Sequence, residues 1–214
     1  MLELGVKMLI AYLLGTLLGS LILGRLRGID IRSMGSGNAG ATNALRTQGK
    51  LFGFLVLIVD IAKGVIAVRW LPAAVLPFVG IDSELPREWL TLACGFAVIV
   101  GHVYPVWFSF RGGKGAATMV GVVAAVELRL LVPMLLCWFI VLLLTGYVSL
   151  ATMLAGVALV IAVHVLEPDN VPLLSFCWLV TVFVLYTHRG NIVRLRAGKE
   201  SRVRRLWLFR SRTA

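Results

Sequence analysis

Acidic residues are scarce in this sequence. It contains only ten Asp and Glu among 214 residues, and charged residues of both signs make up 14% of the chain, about half of the fraction usual in a soluble domain. The acids are scattered, so the sequence offers no carboxylate cluster for Mg²⁺ and none of the grouped aspartates that a CDP-alcohol phosphotransferase needs. We therefore expect no metal and no cofactor.

Cysteine is equally rare, and its placement excludes two further kinds of site. Cys94, Cys137 and Cys177 each lie inside an apolar run, with no Cys-x-x-Cys or Cys/His spacing. This pattern predicts three packing residues and neither a disulfide framework nor a metal site.

Long apolar runs dominate what is present. Hydrophobic residues make up 59% of the chain, which predicts an all-α integral membrane protein. The first run lacks a basic leader and an Ala-x-Ala-like cleavage site, so we interpret it as a retained span. We expect a single transmembrane domain over residues 1–214 with about seven spans, several of them short. The spans are expected at about 7–24, 51–71, 89–107, 116–126, 130–145, 150–166 and 171–186.

The basic residues predict an orientation. Sixteen of the 21 Lys and Arg fall on one predicted face and four on the other, which places the N-terminus outside and the C-terminus in the cytoplasm. The net charge of +11 thus reflects span ends, and no nucleic-acid partner is expected. The basic tail from Arg196 to Arg212 is expected to rest on anionic lipid head groups.

Polar, glycine-rich segments recur at even numbers of spans. Two spans separate the segment 25–50 from the glycine loop near residue 112, two more lead to Ser149, and another two lead to the tail. All four segments are therefore predicted on the cytoplasmic face, where short helices would end at one site.

The glycine loop reads Phe-Arg-Gly-Gly-Lys-Gly-Ala-Ala-Thr over residues 110–118. Glycines allow the backbone to turn its N–H groups into one concavity, which suits a phosphate beside a lysine and a helix N-terminus. The full P-loop spacing is absent. A loop that only turns the chain between two spans is an equally good interpretation at this point.

A second polar segment reads Gly-Ser-Gly-Asn-Ala-Gly-Ala-Thr-Asn-Ala-Leu-Arg over residues 35–46. Its side chains suit an oxygen-rich ligand, with the arginine as a phosphate clamp. The alternative is a polar interfacial loop with a helix cap at Thr42 or Asn43. The candidate ligands are Ser36, Gly37, Asn38, Thr42, Asn43 and Arg46.

Charged and imidazole groups also lie within or at the ends of spans. Asp60 and Lys63 share a helical face at a spacing of three, so they can pair and brace a site. His102 would orient a ligand, hold the glycine loop, or bond a backbone carbonyl as a structural residue.

The last polar segment begins where the seventh span ends. His188, Asn191 and Arg194 recur every three residues and would share one helical face. A His-x4-Asp pattern, the pattern of acyl-CoA-dependent acyltransferases, occurs at His164 and Asp169, but the predicted topology puts it on the outer face, so we interpret it as coincidence.

Four motifs taken together resemble one family. They are Gly-Ser-Gly-Asn-Ala-Gly-Ala-Thr-Asn at 35–43, Asp-x-x-Lys-Gly at 60–64, Gly-His-x-Tyr-Pro through Gly-Gly-Lys-Gly at 101–115, and His-Arg-x-Asn-Ile-x-Arg-Leu-x-x-Gly-x-Glu at 188–200. The sequence resembles the PlsY-type bacterial acyl-phosphate:glycerol-3-phosphate acyltransferases. The resemblance implies a multi-pass inner-membrane enzyme with seven helices and a cytoplasmic site. It implies transfer of an acyl chain from acyl phosphate, made by a partner enzyme, to the 1-position of glycerol 3-phosphate without metal or acyl-CoA.

The resemblance also implies roles for residues at the motif positions. The reacting groups would contact Ser36, Arg46, Lys114, His188 and Asn191. The phosphate loop would be Gly112, Gly113 and Gly115. Independently of the resemblance, the parity of the spans makes Ser149 a further candidate for substrate binding. The residues expected to support the site are Asp60, Lys63, His102, Arg194 and Glu200. We expect direct transfer without an acyl-enzyme, with a substrate phosphate or His188 taking the proton.

A transporter of phosphate esters is the rival interpretation. It would place polar residues throughout the membrane depth and show an internal repeat. Here the polar motifs gather on one predicted face, which favours an enzyme.

Overall fold

The computed structural model describes residues 1–203 and Leu208, and this part of the chain contains α-helices and no strand. The arginines of the basic tail at positions 204, 205, 210 and 212 lie outside the described residues. The helices are α1 (Leu2–Gly15), α2 (Gly19–Leu26), α3 (Ala41–Gln48), α4 (Lys50–Arg69), α5 (Arg87–Val103), α6 (Ala116–Val126), α7 (Leu128–Thr145), α8 (Val148–Leu166), α9 (Val171–Thr187) and α10 (Arg189–Arg196).

Every apolar run expected to span the membrane forms helix. Among the described residues, four helical segments are long and apolar enough to cross a bilayer, namely 50–69, 87–108, 128–145 and 148–166. The number is six if each of two bent pairs, α1 with α2 at 45° and α9 with α10 at 55°, counts as one span. Helix α6, with 11 residues, is too short to cross alone. The all-α membrane fold is confirmed, whereas seven spans and their orientation stay predictions.

The chain divides into two compact units, residues 1–126 and 127–214. Helices α1 to α6 belong to the first unit and α7 to α10 to the second. The expected single domain stays a prediction.

Helix α4 is the centre of the first unit and packs against α2, α3, α5 and α6. The core beside it contains Leu18, Ile31, Ala44, Phe52 and Val56, all 2% exposed or less. Because Ile31 and Ala44 are anchored in this core, the segment between them is held next to α2 and α4, where Ser33, Ser36 and Thr42 are exposed.

Glycines allow α6 to approach α4 closely. A Cβ added to Gly121 would lie 2.1 Å from the carbonyl oxygen of Ile61, and one added to Gly64 would lie 2.5 Å from the carbonyl oxygen of Thr118. Small residues at such contacts are how membrane helices pack without voids. This contact fixes the position of α6, which starts at the glycine loop.

The span expected over 7–24 implied one continuous helix. The structure instead divides the first apolar run into two helices. Helix α1 ends at Gly15 and α2 starts at Gly19. The Nζ of Lys63 donates to the carbonyls of Gly15 at 2.9 Å and Leu17 at 3.2 Å. The N–H of Gly19 faces Asp60 Oδ1 at 3.4 Å. A break in an apolar helix requires partners for the freed backbone groups, and α4 supplies them.

Asp60 and Lys63 of α4 form one buried ion pair, and Glu3 and Lys7 form another near the start of α1. Glu3 Oε1 accepts from Lys7 Nζ at 2.8 Å and from Arg87 Nη1 at 2.6 Å. Lys7 Nζ also donates to the carbonyl of Pro72 at 2.7 Å. These bonds join α1 to α5 and to the connection after α4.

In the second unit, α8 packs against both α7 and α9, and α10 follows α9.

The three cysteines are free thiols. Cys94 and Cys177 are buried, and Cys137 is half-buried. The expected role in packing is confirmed for Cys94 and Cys177, which belong to the buried core, and stays a prediction for Cys137.

Candidate active site

Asn43 organises the polar segment that precedes α3. Its Nδ2 lies 3.1, 2.9 and 3.0 Å from the carbonyl oxygens of Ile31, Met34 and Asn38, and its Oδ1 accepts from the N–H of Ser36 at 2.9 Å. The side chain is 1% exposed. Asn43 therefore shapes the loop through backbone groups, a role different from the substrate contact expected from the sequence.

The remaining candidates of this segment face outward. Gly40 is the N-cap of α3, so the alternative of a cap at Thr42 or Asn43 is wrong. Arg46 is exposed in the last turn of α3. Ser36, Gly37 and Thr42 are also exposed, and Asn38 is half-buried. This exposure leaves these groups accessible to a ligand.

Arg32, which sequence reasoning missed, connects this segment to the glycine loop. Its Nη1 donates to the carbonyls of Phe108 at 3.1 Å and Arg111 at 3.3 Å. Asp30 accepts from its Nη2 at 2.7 Å, and this hydrogen bond lowers the pKa of Asp30 from its ordinary value. The spacing Asp30-x-Arg32 was the only signal in the sequence. Two of the four predicted polar segments are thus adjacent within the first unit.

The glycine loop differs from the expected concavity of three glycine N–H groups. The N–H of Gly112 donates to the carbonyl of Val103, and that of Gly113 donates to the carbonyl of His102, both at 3.1 Å. A Cβ on Gly112 would lie 2.1 Å from the carbonyl oxygen of His102. These two glycines therefore permit close pairing with the end of α5, and their N–H groups are engaged there.

The turn itself is made by other residues. Ser109 and Phe110 have φ of 55° and 57°, and Gly115 has φ of 86°. Left-handed backbone is unusual for Ser and Phe. After this turn Lys114 is half-buried, two residues before α6 starts at Ala116. The first N–H groups of a helix lack intrahelical acceptors, so an anion beside Lys114 would meet them.

Asp60, Lys63 and His102 form a buried cluster behind this loop. Lys63 Nζ lies 3.0 Å from Asp60 Oδ1 and 2.9 Å from His102 Nδ1. The predicted pairing of Asp60 and Lys63 is confirmed. Nδ1 of His102 faces this ion pair. It therefore does not bond a backbone carbonyl, as the alternative of a structural histidine expected.

The second unit has its own polar cluster, centred on Glu200. Its Oε1 accepts from Ser149 Oγ at 2.8 Å and from Asn191 Nδ2 at 2.7 Å, and its Oε2 accepts from Arg194 Nε at 2.8 Å. Burial alone would raise the pKa of Glu200, but the hydrogen bonds from Asn191, Ser149 and Arg194 outweigh it and lower the pKa. Of the three residues predicted to share a helical face, His188, Asn191 and Arg194, the last two both reach Glu200 from α10, whereas His188 precedes that helix.

His188 lies at the bend between α9 and α10 and is 4% exposed. Its Nδ1 lies 2.8 Å from the carbonyl oxygen of Val184. A carbonyl only accepts, so Nδ1 carries the proton, and in the neutral ring Nε2 carries the lone pair. His188 is therefore oriented as a hydrogen-bond acceptor through Nε2.

The His-x4-Asp pattern forms no catalytic arrangement. His164 Nδ1 bonds the carbonyl of Val160 at 2.8 Å, and its ring packs edge-on against Trp178 with the centroids 6.1 Å apart. Asp169 is exposed in the turn after α8. In residues 1–203, no three His, Cys, Asp or Glu side chains are grouped as metal ligands.

Comparisons with known proteins agree on one family. The model of the glycerol-3-phosphate acyltransferase family matches residues 6–198. Glycerol-3-phosphate acyltransferase of Aquifex aeolicus is 40% identical over 195 residues, 90% of this chain and 95% of its own. The Bacillus velezensis enzyme is 40% identical over 197 residues, 92% of this chain and 95% of its own.

Solved structures agree as well. Crystal structures of PlsY, an integral membrane glycerol 3-phosphate acyltransferase, match in a glycerol 3-phosphate form with a TM-score of 0.80 and in a lysophosphatidic acid form with a TM-score of 0.78. Each is 35% identical and covers 93% of this chain and 94% of the other chain. The chain therefore belongs to the glycerol-3-phosphate acyltransferase family, as its four motifs indicated.

Proposed function

We propose that this protein transfers an acyl chain from acyl phosphate to the 1-position of glycerol 3-phosphate, giving lysophosphatidic acid and inorganic phosphate. The observation that carries the proposal is the family match over residues 6–198. That range contains all of the proposed reacting residues, which are Ser36, Arg46, Lys114, His188 and Asn191.

Two anionic substrates have to approach each other in this reaction. Exposed Arg46 and half-buried Lys114 supply two cations in the first unit, and the N-terminus of α6 supplies a positive dipole end. These groups offset phosphate repulsion and align the substrates, which makes positioning and electrostatics the main source of catalysis. The hydroxyl of Ser36 and the amide of Asn191 would donate hydrogen bonds to substrate oxygens.

The chemical step is a direct acyl transfer. The C1 hydroxyl oxygen of glycerol 3-phosphate attacks the acyl carbonyl carbon and forms the ester bond. The bond between that carbon and the phosphate oxygen breaks, and phosphate leaves with the bonding electrons. Phosphate is already a good leaving group, so no acyl-enzyme and no metal are needed. Accumulation of an acylated Ser36 from acyl phosphate alone would contradict direct transfer.

The hydroxyl proton has two candidate acceptors, a substrate phosphate and His188. The bond from His188 Nδ1 to the carbonyl of Val184 favours a lone pair on Nε2, which suits a general base. Both substrates carry phosphate, so a phosphate oxygen is the other acceptor available to the hydroxyl proton. A His188→Gln variant that keeps most of kcat would assign the proton to the phosphate.

The proposed location is the bacterial inner membrane, with the reacting groups on the cytoplasmic face. Glycerol 3-phosphate is water-soluble, whereas a long-chain acyl phosphate is a lipid, so the protein takes one substrate from each phase. An enzyme that makes acyl phosphate is the expected partner.

The decisive test uses purified protein in detergent with glycerol 3-phosphate, acyl phosphate and a metal chelator. We expect lysophosphatidic acid and phosphate in equal amounts. Product from acyl-CoA but not from acyl phosphate would overturn the proposal. Removal of either cation, in Lys114→Ala or Arg46→Ala, is expected to lower kcat/KM by about 100-fold or more, whereas His164→Ala should keep full activity.

A further inference from the structure

The cluster of Asp60, Lys63 and His102 is costly to bury. The three residues are 0%, 3% and 2% exposed, and they lie on α4 and α5, whose other charged residues are at the helix ends. Charged groups at such depth are retained where they have partners and a function. The cluster touches two features of the first unit, the break between α1 and α2 and the glycine loop.

The contact with Lys63 sets the tautomer of His102. His102 Nδ1 lies 2.9 Å from Lys63 Nζ and 3.4 Å from Asp60 Oδ1. An ammonium has only donor hydrogens, so the shorter of the two contacts makes Nδ1 an acceptor. The neutral ring then carries its proton on Nε2. Asp60 Oδ1, at 3.0 Å from Lys63 Nζ, balances the ammonium charge. Asp60 and Lys63 thus hold the imidazole ring of His102 in a single orientation.

The other edge of the ring faces the glycine loop. A Cβ on Gly113 would lie 2.0 Å from His102 Nε2, so only glycine fits against this nitrogen. The N–H of Gly113 donates to the carbonyl of His102 at 3.1 Å. His102 therefore contacts the residue before Lys114 through both its ring and its main chain.

We propose that His102 is a positioning residue for the phosphate of glycerol 3-phosphate. Lys63 and Asp60 fix its Nε2–H tautomer, and the Nε2 edge sets the position of Gly113 so that Lys114 and the start of α6 face the phosphate. This inference rests on the proposed function, because it assigns the glycine loop to that substrate.

Two substitutions of His102 separate the two edges of its ring. The amide of His102→Asn ends near the position of Nδ1 and retains a partner for Lys63, whereas the amide of His102→Gln reaches the position of Nε2. We expect His102→Asn to raise KM for glycerol 3-phosphate about tenfold, because it removes the contact of Nε2 with Gly113 that holds Lys114 in place, and a charge-assisted hydrogen bond from a displaced lysine weakens by about that much. We expect kcat to change less, and His102→Gln to restore most of KM. Equal KM in both variants and the unmodified protein would overturn the inference.

A matched pair of lysine variants controls for stability. Lys63 and Lys7 are both buried, 3% and 2% exposed, and each pairs with an acid on its own helix. Both Lys63→Met and Lys7→Met should lower the Tm, but only Lys63→Met should raise KM for glycerol 3-phosphate. If both variants lower the Tm and neither changes KM for glycerol 3-phosphate, the cluster only stabilises the fold and the inference is wrong.

Calorimetric titration with glycerol 3-phosphate, without an acyl donor, separates this inference from the proposed function. If the unmodified protein binds glycerol 3-phosphate but makes no product from acyl phosphate, the proposed donor fails while the Kd still reports on His102. A Kd unchanged in His102→Asn overturns the positioning role whatever the turnover. Failure of the unmodified protein to bind glycerol 3-phosphate overturns both.

Discussion

At the scale of single residues, Asn43 and Glu200 have the same task in different units. Each is one polar side chain with several hydrogen-bond partners. Asn43 bonds four backbone groups between residues 31 and 38, and Glu200 accepts from Ser149, Asn191 and Arg194. Removing such a hub leaves several polar groups unpaired at once, which costs more than one hydrogen bond. Each of the two side chains bonds a residue that is proposed to contact substrate, Ser36 for Asn43 and Asn191 for Glu200.

The lowered pKa of Glu200 predicts how stability depends on pH. The native pKa lies below that of the unfolded chain, so the carboxylate stabilises fully above the unfolded-chain pKa and loses this effect as pH falls through the native pKa. We expect the unmodified protein to have a higher Tm than Glu200→Gln at neutral pH, with the difference shrinking below about pH 4.5. Thermal scans across pH measure this difference.

The control for this prediction is Glu84→Gln, which changes an exposed acid and should show no such difference. If the Tm difference between Glu200→Gln and the unmodified protein stays constant from neutral to acid pH, the carboxylate is not what stabilises the cluster.

At the scale of elements, helix α6 is positioned by its contact with α4. Since Gly121 lies against the carbonyl of Ile61, a methyl group there has to push the helices apart. Gly121→Ala is expected to cost about 1–3 kcal/mol of stability, as overpacking does, and to lower activity because α6 follows the glycine loop. Tm and kcat/KM measured on the same preparation test both effects.

Gly5 offers a matched control on helix α1. A Cβ at this position meets nothing within 4 Å, so Gly5→Ala should be neutral or gain up to about 1 kcal/mol from helix propensity. Equal losses of stability in Gly121→Ala and Gly5→Ala would show that the contact between α4 and α6 is not the cause.

Elements that depend on local pattern could be predicted from the sequence. Apolar runs gave the helices, and the spacing of Asp60 and Lys63 predicted their pairing. The break between α1 and α2 could not be predicted, because the groups that satisfy its carbonyls and N–H come from α4, more than 40 residues away. The engaged N–H groups of Gly112 and Gly113 were missed for a different reason: their acceptors, at the end of α5, are close in sequence, but the pairing depends on how the intervening turn folds back.

At the scale of the whole molecule, the orientation predicted from Lys and Arg is open to direct measurement. Lys199 and Asp169 are both exposed and are predicted on opposite faces. We expect Asp169→Cys to react with a membrane-impermeant maleimide on intact spheroplasts and Lys199→Cys to react only after lysis. The unmodified protein is the control: Cys94 and Cys177 are buried, and any labelling of half-buried Cys137 is the background to subtract. Labelling of Lys199→Cys on intact spheroplasts would reverse the predicted orientation.

The position of Glu200 in the chain has a consequence for biosynthesis. A ribosome adds Ser149, Asn191 and Arg194 before it adds the carboxylate that all three require. A chain that stops after Arg196 but before Glu200 therefore contains all five residues proposed to react and every helix that the structure describes, yet lacks the carboxylate at the centre of its second cluster. Such an incomplete translation product would enter the membrane with its helices formed but without a competent site.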